Sequence, residues 1–174
     1  AIGLSAIFPK AAVSRLRASA GSGRSRSLFL TANTTEAGPL AVLLQKGRCA
    51  DLLFNQEHHV RDEQAIAGWQ SWADGVGWET VWSPAAQGMN KGTRGGACLA
   101  SAAGVAIAAM TPYAEQLAVA QGRLVAASWN AIIPGGIAAL SVYCWPGVGL
   151  DANNKALLQL MLAAVKAGRP AALT

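Results

Sequence analysis

Glu57, His58 and His59 form the densest group of side chains in the sequence that can bind metal or move protons. They follow an apolar run at residues 52–54, which is typical of a buried strand. Open sheets place their chemistry at the carboxyl ends of strands. A carboxylate in that position costs free energy unless it is paired or bound to a cation. The stretch therefore predicts a metal or proton-transfer site, with a solvated loop glutamate as the alternative for Glu57.

The oxygen ligand that Glu57 offers suits Mg²⁺, which takes one or two carboxylates and keeps water and substrate phosphate in its other positions. The two histidines are the only ones in the chain, and they are adjacent. No GxSxG turn, P-loop or GxGxxG after a strand accompanies them. We expect His58 and His59 to be structural or substrate-facing residues in the loop after the strand, not catalytic ones.

The composition predicts one folded domain with a largely buried sheet. Of the 174 residues, 52% are hydrophobic and 13% are charged, against roughly 25% charged in a typical soluble domain. Two apolar stretches do not fit a membrane span. Residues 97–110 are too few to cross a bilayer as a helix, and Pro134-Gly135-Gly136 interrupts residues 124–145, which fit a hairpin better.

The formal net charge of +5 comes from the amino-terminal arm. Five basic residues precede the first acid, Glu36, and the nine remaining basic residues equal the nine acidic ones. The rest of the chain therefore gives no electrostatic argument for nucleic-acid binding. The Ala, Ser, Gly and Arg composition of residues 1–26 predicts a disordered basic arm or linker, with an organellar transit segment as the alternative.

The three cysteines show no metal-binding spacing, and their odd number suits a reducing compartment. We expect Cys49, Cys98 and Cys144 to be buried apolar thiols.

The elements that position Glu57 begin with strands over residues 27–33 and 51–56. Thr34 and Thr35 are N-cap candidates for a helix between them, with Glu36 in its first turn and Gly47 at its end. This order predicts a βαβ unit. Apolar positions at helical spacing predict a second helix over residues 61–75 whose tryptophans lie in the core.

The remaining chain is predicted to be mostly strands, over residues 78–82, 95–101, 104–108, 123–129, 137–145 and 169–174. We expect a loop at residues 85–93 and one helical turn within residues 111–121. The strands at 123–129 and 137–145 pair through residues 133–136. Asp151 or Asn153 caps a last helix ending near residue 166, whose buried side carries Leu157, Leu158, Met161, Leu162 and Val165.

Five motifs in this order resemble the endonuclease/exonuclease/phosphatase superfamily, whose members have the DNase I-like fold. Leu-Thr-Ala-Asn at residues 30–33 resembles its first strand, which ends in a site Asn, and Asn55-Gln56-Glu57 resembles its Gln-Glu motif. Residues 93–97 are similar to its GGxA strand. Residues 141–146 are similar to its Val-Tyr-x-Pro motif with one residue more before the proline, and residues 169–174 to the strand before Gly-Asp-Phe-Asn. Asn153 or Asn154, with the leucines that follow, matches the intervening helix.

The resemblance covers residues 27–174 and implies an α/β fold, a partial two-layer β-sandwich flanked by helices. Within the superfamily, the endonuclease domains of non-LTR retrotransposon polyproteins match best. The reasons are the Trp-x-x-Trp helix, the segment at residues 77–84 and the Arg-Gly-Gly at residues 94–96. The chain would then be part of a longer polyprotein, intracellular, and nuclear if it is of the retrotransposon type.

The implied activity is Mg²⁺-dependent phosphodiester hydrolysis of nucleic acid, with DNA favoured. Glu57 would hold Mg²⁺, Asn33 would orient Glu57 or the attacking water, and Tyr143 would donate to a phosphate oxygen or position the water. Arg94 would contact the nucleic-acid backbone. The alternatives are a helix-start Asn, a core-edge Tyr and a solvated Arg. If the resemblance holds, Asn33, Glu57 and Tyr143 converge at one edge of the sheets.

The sequence departs from the family in two ways. Thr34-Thr35 stand where the family usually has a second Asn or a Gly, and the 174 residues stop before the Asp-x-Asn and Ser-Asp-His motifs. We therefore expect this chain alone to be inactive or nearly so, and to expose apolar surface where further strands would pack. The alternatives are a non-catalytic remnant or binding fragment, and a phosphatase of small phosphoesters or lipids on the same fold.

Overall fold

The computed structural model describes residues 12–16, 27–46, 50–88, 92–110, 122–131, 134–166 and 171–173. Within them, two mixed β-sheets pack face to face, and helices cover both outer faces. The predicted partial two-layer sandwich flanked by helices is confirmed.

The first sheet begins with a parallel βαβ unit. Strand β2 (Ser27–Asn33), helix α1 (Ala37–Gln45) and strand β3 (Leu52–Gln56) form it, so the βαβ prediction is confirmed. Antiparallel pairing adds β7 (Ala97–Ala102) beside β3, and β4 (Trp78–Ser83) beside β7. Helix α2 (Glu63–Gly75) precedes β4, and its amino end is capped by Asp62, whose carboxylate accepts from Ala65 N at 2.9 Å.

The free edge of β2 carries strand β1 (Ala12–Leu16), which pairs with it antiparallel. The composition of residues 1–26 predicts no element there, so the structure differs from the expected disordered arm over these five residues. Backbone pairing holds an edge strand, and composition does not reveal that pairing. The other residues of the arm lie outside the described part.

The second sheet has the order β11-β10-β9-β8. Strands β8 (Ile107–Ala109), β9 (Leu124–Trp129) and β10 (Ile137–Val142) are antiparallel, which confirms the predicted hairpin, and β11 (Ala171–Leu173) joins β10 in parallel. Helix α3 (Ala152–Lys166) packs on the outer face of this sheet through the fully buried Leu157.

Side-chain alternation along the strands creates three apolar layers, because successive residues point to opposite faces of a sheet. In β3, Leu53 faces α1 and α2, whereas Leu52 and Phe54 face the second sheet. Phe29, Phe54 and Trp129 fill the space between the sheets, with ring centroids 5.5 and 6.0 Å apart. This middle layer fixes the two sheets against each other.

Several predicted boundaries are wrong. The N-cap position of α1 is Glu36, without a side-chain capping hydrogen bond, and not Thr34 or Thr35. Thr35 has φ of 58°, and its hydroxyl donates to Thr34 O. The expected loop at residues 85–93 contains two short paired strands, β5 (Ala86–Gln87) and β6 (Thr93–Arg94). Gly47, the expected helix end, and residues 111–121 lie outside the described residues.

At the carboxyl end of the chain, the predicted cap Asp151 is confirmed, because its carboxylate accepts from Asn154 N at 2.8 Å. The predicted buried side of α3 is only partly right. Leu158 and Leu162 are 40% and 51% exposed, so the apolar stripe of α3 is wider than the face that is buried.

The cysteine prediction holds for one residue of three. Cys98 is buried, and burial raises the pKa of its thiol. Cys144 is exposed, because β10 ends at Val142 and not at residue 145 as predicted. Cys49 lies outside the described residues. None of the helices in the described part of the chain is long and apolar enough to cross a bilayer.

Candidate active site

Glu57 is the first residue after β3, and its backbone is unusual. Its φ of 61° lies in the left-handed region, which costs a non-glycine residue on the order of 1–3 kcal/mol and persists only where the surroundings hold it. Here the Glu57 N–H donates to Gly96 O at 2.7 Å. The side chain of Glu57 is half-buried.

Asn33 ends the neighbouring parallel strand and contacts Glu57 directly. Its Nδ2 atom donates to Glu57 Oε2 at 2.6 Å. The contact arises because β2 and β3 pair in parallel with Asn33 opposite Gln56, so their carboxyl ends meet at one edge. Asn33 Oδ1 is buried and has no hydrogen-bond partner among the described residues. The amide is therefore oriented by Glu57 and keeps a free oxygen.

Tyr143 reaches the same carboxylate from the second sheet. It is the first residue after β10, and its phenol lies close enough to Glu57 for the carboxylate to shift its pKa. Burial raises the pKa of Tyr143, and the Glu57 carboxylate raises it further because it favours the protonated phenol. The structure thus brings together all three residues predicted to converge.

Arg123 is a fourth member of this group, and sequence reasoning did not single it out. Its side chain is 6% exposed, and its Cζ lies 4.7 Å from the ring centroid of Tyr143 and 5.0 Å from that of Trp145. Burial lowers the pKa of Arg123, whereas Tyr143 and Glu57 act in the opposite direction.

A polar contact between the sheets fixes the two halves of the group. Gln56 Nε2 donates to Ser141 Oγ at 2.8 Å, and the Ser141 hydroxyl in turn donates to Asn55 O at 3.3 Å. Gln56 precedes Glu57, and Ser141 lies two residues before Tyr143. Both side chains are buried, so the contact is shielded from water and sets the distance across which Tyr143 reaches Glu57.

His58 is a structural residue. Its ring is buried, accepts from Val60 N at Nδ1 at 3.0 Å and donates from Nε2 to Ala97 O at 3.3 Å. It also packs edge-on against Trp82, with centroids 4.6 Å apart. Burial lowers the pKa of His58 to about 4. His59 is half-buried, and its Nδ1 lies 3.0 Å from Thr93 O.

The Gly-Gly pair of the predicted GGxA strand forms the turn before β7 and not part of the strand. Gly95 and Gly96 have φ of 73° and 91°. A Cβ on Gly96 would lie 2.5 Å from a carbon of the His58 ring. The Gly96 N–H donates to Gly122 O at 2.7 Å. The glycines therefore let the β7 turn lie directly against Glu57, His58 and the segment that leads to Arg123.

Arg94, the predicted substrate contact, is exposed at the end of β6. Its positive charge lowers the pKa of Arg123, so the two guanidinium groups are close enough to interact electrostatically. The charged neighbours of Tyr143 in the described part of the chain are the Arg123 guanidinium group and the Glu57 carboxylate.

A Mg²⁺ ion at this site would find few protein ligands. Among the described residues, no group of three or more His, Cys, Asp or Glu side chains is placed to hold a metal ion. Mg²⁺ does not need such a cage, because it commonly takes one or two carboxylates and completes its shell with water and phosphate. The Glu57 carboxylate, with the free Asn33 Oδ1 beside it, fits that limited demand.

Comparison with protein-family models gives no match, and comparison with curated proteins gives none. Solved structures do match. The AP endonuclease LMAP from Leishmania major has a TM-score of 0.53 and 18% identity over 76% of this chain and 46% of that one. The endonuclease domain of TRAS1, a telomere-specific non-LTR retrotransposon, has a TM-score of 0.50 and 14% identity over 83% and 56%.

A third structure, the 3′-5′ exonuclease NExo from Neisseria meningitidis, has a TM-score of 0.48 and 23% identity over 80% of this chain and 50% of that one. This chain therefore spans about half the length of the solved structures it matches. It has the DNase I-like fold that the sequence predicted, in common with the AP endonuclease LMAP and the TRAS1 endonuclease domain.

Proposed function

We propose that this chain carries one part of a Mg²⁺-dependent phosphodiesterase site that acts on nucleic acid, with DNA the favoured substrate. The observation that carries the proposal is the convergence of Asn33 and Tyr143, from two different sheets, on the carboxylate of Glu57. The DNase I-like fold supports it, since the similar structures include an AP endonuclease and a retrotransposon endonuclease domain.

In this proposal Glu57 holds the metal. When bound, Mg²⁺ acts as a Lewis acid that offsets negative charge building up on the phosphoryl group. Asn33 keeps the carboxylate of Glu57 in one orientation through its 2.6 Å hydrogen bond. The left-handed backbone of Glu57 keeps the side chain at the end of the strand, where substrate can approach.

Tyr143 acts as a hydrogen-bond donor in this scheme. Its raised pKa keeps the phenol protonated at neutral pH, so the hydroxyl can donate to a phosphate oxygen or to the attacking water. Arg94, exposed beside the site, contributes positive charge toward the nucleic-acid backbone.

Several of the other described carboxylates hold backbone amides away from Glu57. Asp51 accepts from Leu28 N, Asp62 from Ala65 N, Glu79 from Ile107 N and Asp151 from Asn154 N. We therefore assign no water-activating base among the residues that the structure describes. Without one, general-base catalysis, typically about 10²- to 10⁴-fold, is lost, and the isolated 174-residue chain should nick DNA weakly or not at all.

Nicking of supercoiled plasmid in Mg²⁺ tests the proposal. In any longer polypeptide that contains these residues, Glu57→Gln should reduce nicking at least about a hundred-fold, because the metal's charge stabilisation amounts to several kcal/mol. Glu36→Gln, an exposed carboxylate at the start of α1, is the matched control and should nick like the parent. Equal nicking by the Glu57→Gln variant and the parent would overturn the assignment.

The same preparations decide between substrate classes. Hydrolysis of small phosphomonoesters without plasmid nicking would favour a phosphatase, and no Glu57-dependent hydrolysis of either substrate would favour a binding fragment. A retrotransposon-type role, with the chain part of an intracellular or nuclear polyprotein, belongs to this proposal as its more specific form and predicts cleavage of double-stranded DNA.

A further inference from the structure

Arg123 carries a buried positive charge that the described residues do not fully satisfy. The side chain is 6% exposed, and its Nη1 atom is buried without a hydrogen-bond partner among the described residues. A buried guanidinium group that lacks hydrogen bonds carries a large desolvation cost. Such a group at the edge of a site indicates that a further partner binds there.

The surroundings of Arg123 define the chemistry of that partner. Tyr143 lies on one side of the guanidinium group, and Arg94 is near enough for its charge to act on Arg123. An anion beside the guanidinium group would supply the partner that the buried Nη1 atom lacks. A phosphate oxygen fits, because a guanidinium group matches phosphate geometry with two parallel N–H donors.

We propose that the guanidinium group of Arg123 is a phosphate-binding subsite, beside Glu57, that takes an oxygen of a nucleic-acid backbone phosphate. The inference rests on the proposed function for the identity of the phosphate. The subsite lies on the second sheet, whereas the metal ligand Glu57 lies on the first, so the phosphate would bind between the two sheets.

Trp145 gives this subsite a second aromatic surface. It is one of the two residues between Tyr143 and Pro146, and its ring lies 5.0 Å from the Arg123 Cζ. Asn154, at the start of α3, holds this segment in place. It accepts from Trp145 N at 2.9 Å and donates to Trp145 O and Gly149 O at 3.1 and 2.6 Å. The guanidinium group therefore rests on a fixed aromatic surface and loses little freedom on binding.

The test is direct binding of fluorescein-labelled double-stranded DNA by the 174-residue chain in EDTA, measured by anisotropy over a range of salt concentrations. Arg123→Gln should weaken binding about ten-fold, as expected for the loss of one charge-assisted hydrogen bond. It should also reduce the slope of log K against log salt by about 1. Inorganic phosphate, added as competitor, should displace DNA from the parent more readily than from the variant.

Lys46→Gln is the matched control. Lys46 is exposed at the carboxyl end of α1, at the opposite end of the first sheet from Asn33. The substitution removes the same unit of charge and should leave affinity and salt slope close to those of the parent. Equal effects of the Lys46 and Arg123 substitutions would overturn the subsite and leave only general electrostatic attraction.

Trp145→Leu decides the question if Arg123→Gln fails to fold, as shown by circular dichroism. It keeps the charge of Arg123 and removes one of the two rings beside the guanidinium group. DNA binding should weaken by a few-fold, and unchanged binding by this variant would overturn the proposal.

Glu57→Gln separates this inference from the proposed function. In EDTA no metal is bound, so removing the Glu57 charge should strengthen DNA binding or leave it unchanged. A chain that binds DNA through Arg123 while Glu57→Gln has no effect on Mg²⁺-dependent nicking would retain the subsite and contradict only the hydrolytic assignment.

Discussion

Gln56 Nε2 donates to Ser141 Oγ at 2.8 Å and so joins the two sheets through buried side chains. Gln56 immediately precedes Glu57, and Ser141 lies two residues before Tyr143. The contact therefore holds in place the backbone next to both Glu57 and Tyr143. The Gln of the Gln-Glu motif therefore has a structural role that is distinct from that of the glutamate beside it.

Removal of this contact should lower the stability of the fold and disturb the positions of Glu57 and Tyr143. Gln56→Ala leaves the Ser141 hydroxyl with only Asn55 O as partner, so we expect the free energy of unfolding to fall by about 1–3 kcal/mol. Urea denaturation of Gln56→Ala, Ser141→Ala and the double variant measures the coupling, expected at roughly 0.5–3 kcal/mol for residues in contact. Fully additive effects would show that the two side chains do not act together.

His58 should make stability depend on pH. Its pKa of about 4 in the folded state lies below the ordinary value of 6.5. The unfolded chain therefore binds this proton more readily, and protonation favours unfolding. Stability should be complete above pH 6.5 and should fall on acidification toward pH 4, by about 3 kcal/mol from this residue.

The measurement is the free energy of unfolding against pH for the parent, His58→Gln and His59→Gln. Subtracting the His58→Gln curve from that of the parent cancels the carboxylates, which titrate in the same range. The difference should show the expected loss, and His59→Gln, which keeps the buried His58 ring, should retain most of it. A flat difference curve would mean that the buried ring is protonated in the folded protein.

Gly96 should tolerate no side chain, because a Cβ there would clash with the His58 ring. A second glycine with a similar backbone but no such neighbour serves as the control. Gly96 and Gly135 both have left-handed backbones, with φ of 91° and 84°. A Cβ on Gly96 would lie 2.5 Å from the His58 ring, whereas one on Gly135 meets no atom within 4 Å. Both alanine variants carry backbone strain of about 1–2 kcal/mol, and only Gly96→Ala adds a steric clash.

Thermal denaturation of the two alanine variants gives the comparison. Gly96→Ala should be less stable than Gly135→Ala by about 1–3 kcal/mol, the usual cost of overpacking. Equal stabilities would show that the His58 ring moves aside freely, in which case the ring does not hold the β7 turn against Glu57.

The sequence predicted the parts of the molecule that depend on local pattern. One strand ends at Asn33 and another ends just before Glu57, and their parallel pairing follows from the βαβ order. Parallel strands bring their carboxyl ends to the same edge of the sheet. The position of Tyr143 followed from the family motif. The roles of Arg123 and of Gln56 did not, because each depends on side-chain contacts between segments far apart in the sequence, and a single sequence carries no such pairing information.

The errors have a similar cause. Thr35 is a good capping residue by type, yet it adopts a left-handed backbone, and the helix begins two residues later. Leu158 fits the apolar stripe of α3, but a stripe shows only that a face is apolar, not that another element covers it. The strand Ala12–Leu16 is held by backbone hydrogen bonds, which depend little on the side chains present.

The division of the site between two sheets has a mechanical consequence. Asn33 and Glu57 move with the first sheet, whereas Arg123 and Tyr143 move with the second. A slide of one sheet over the other by a fraction of a hydrogen-bond length would misalign the two pairs while leaving every strand intact. The aromatic layer of Phe29, Phe54 and Trp129 lies in the core between the sheets. It therefore determines how precisely the two pairs of site residues are aligned with each other.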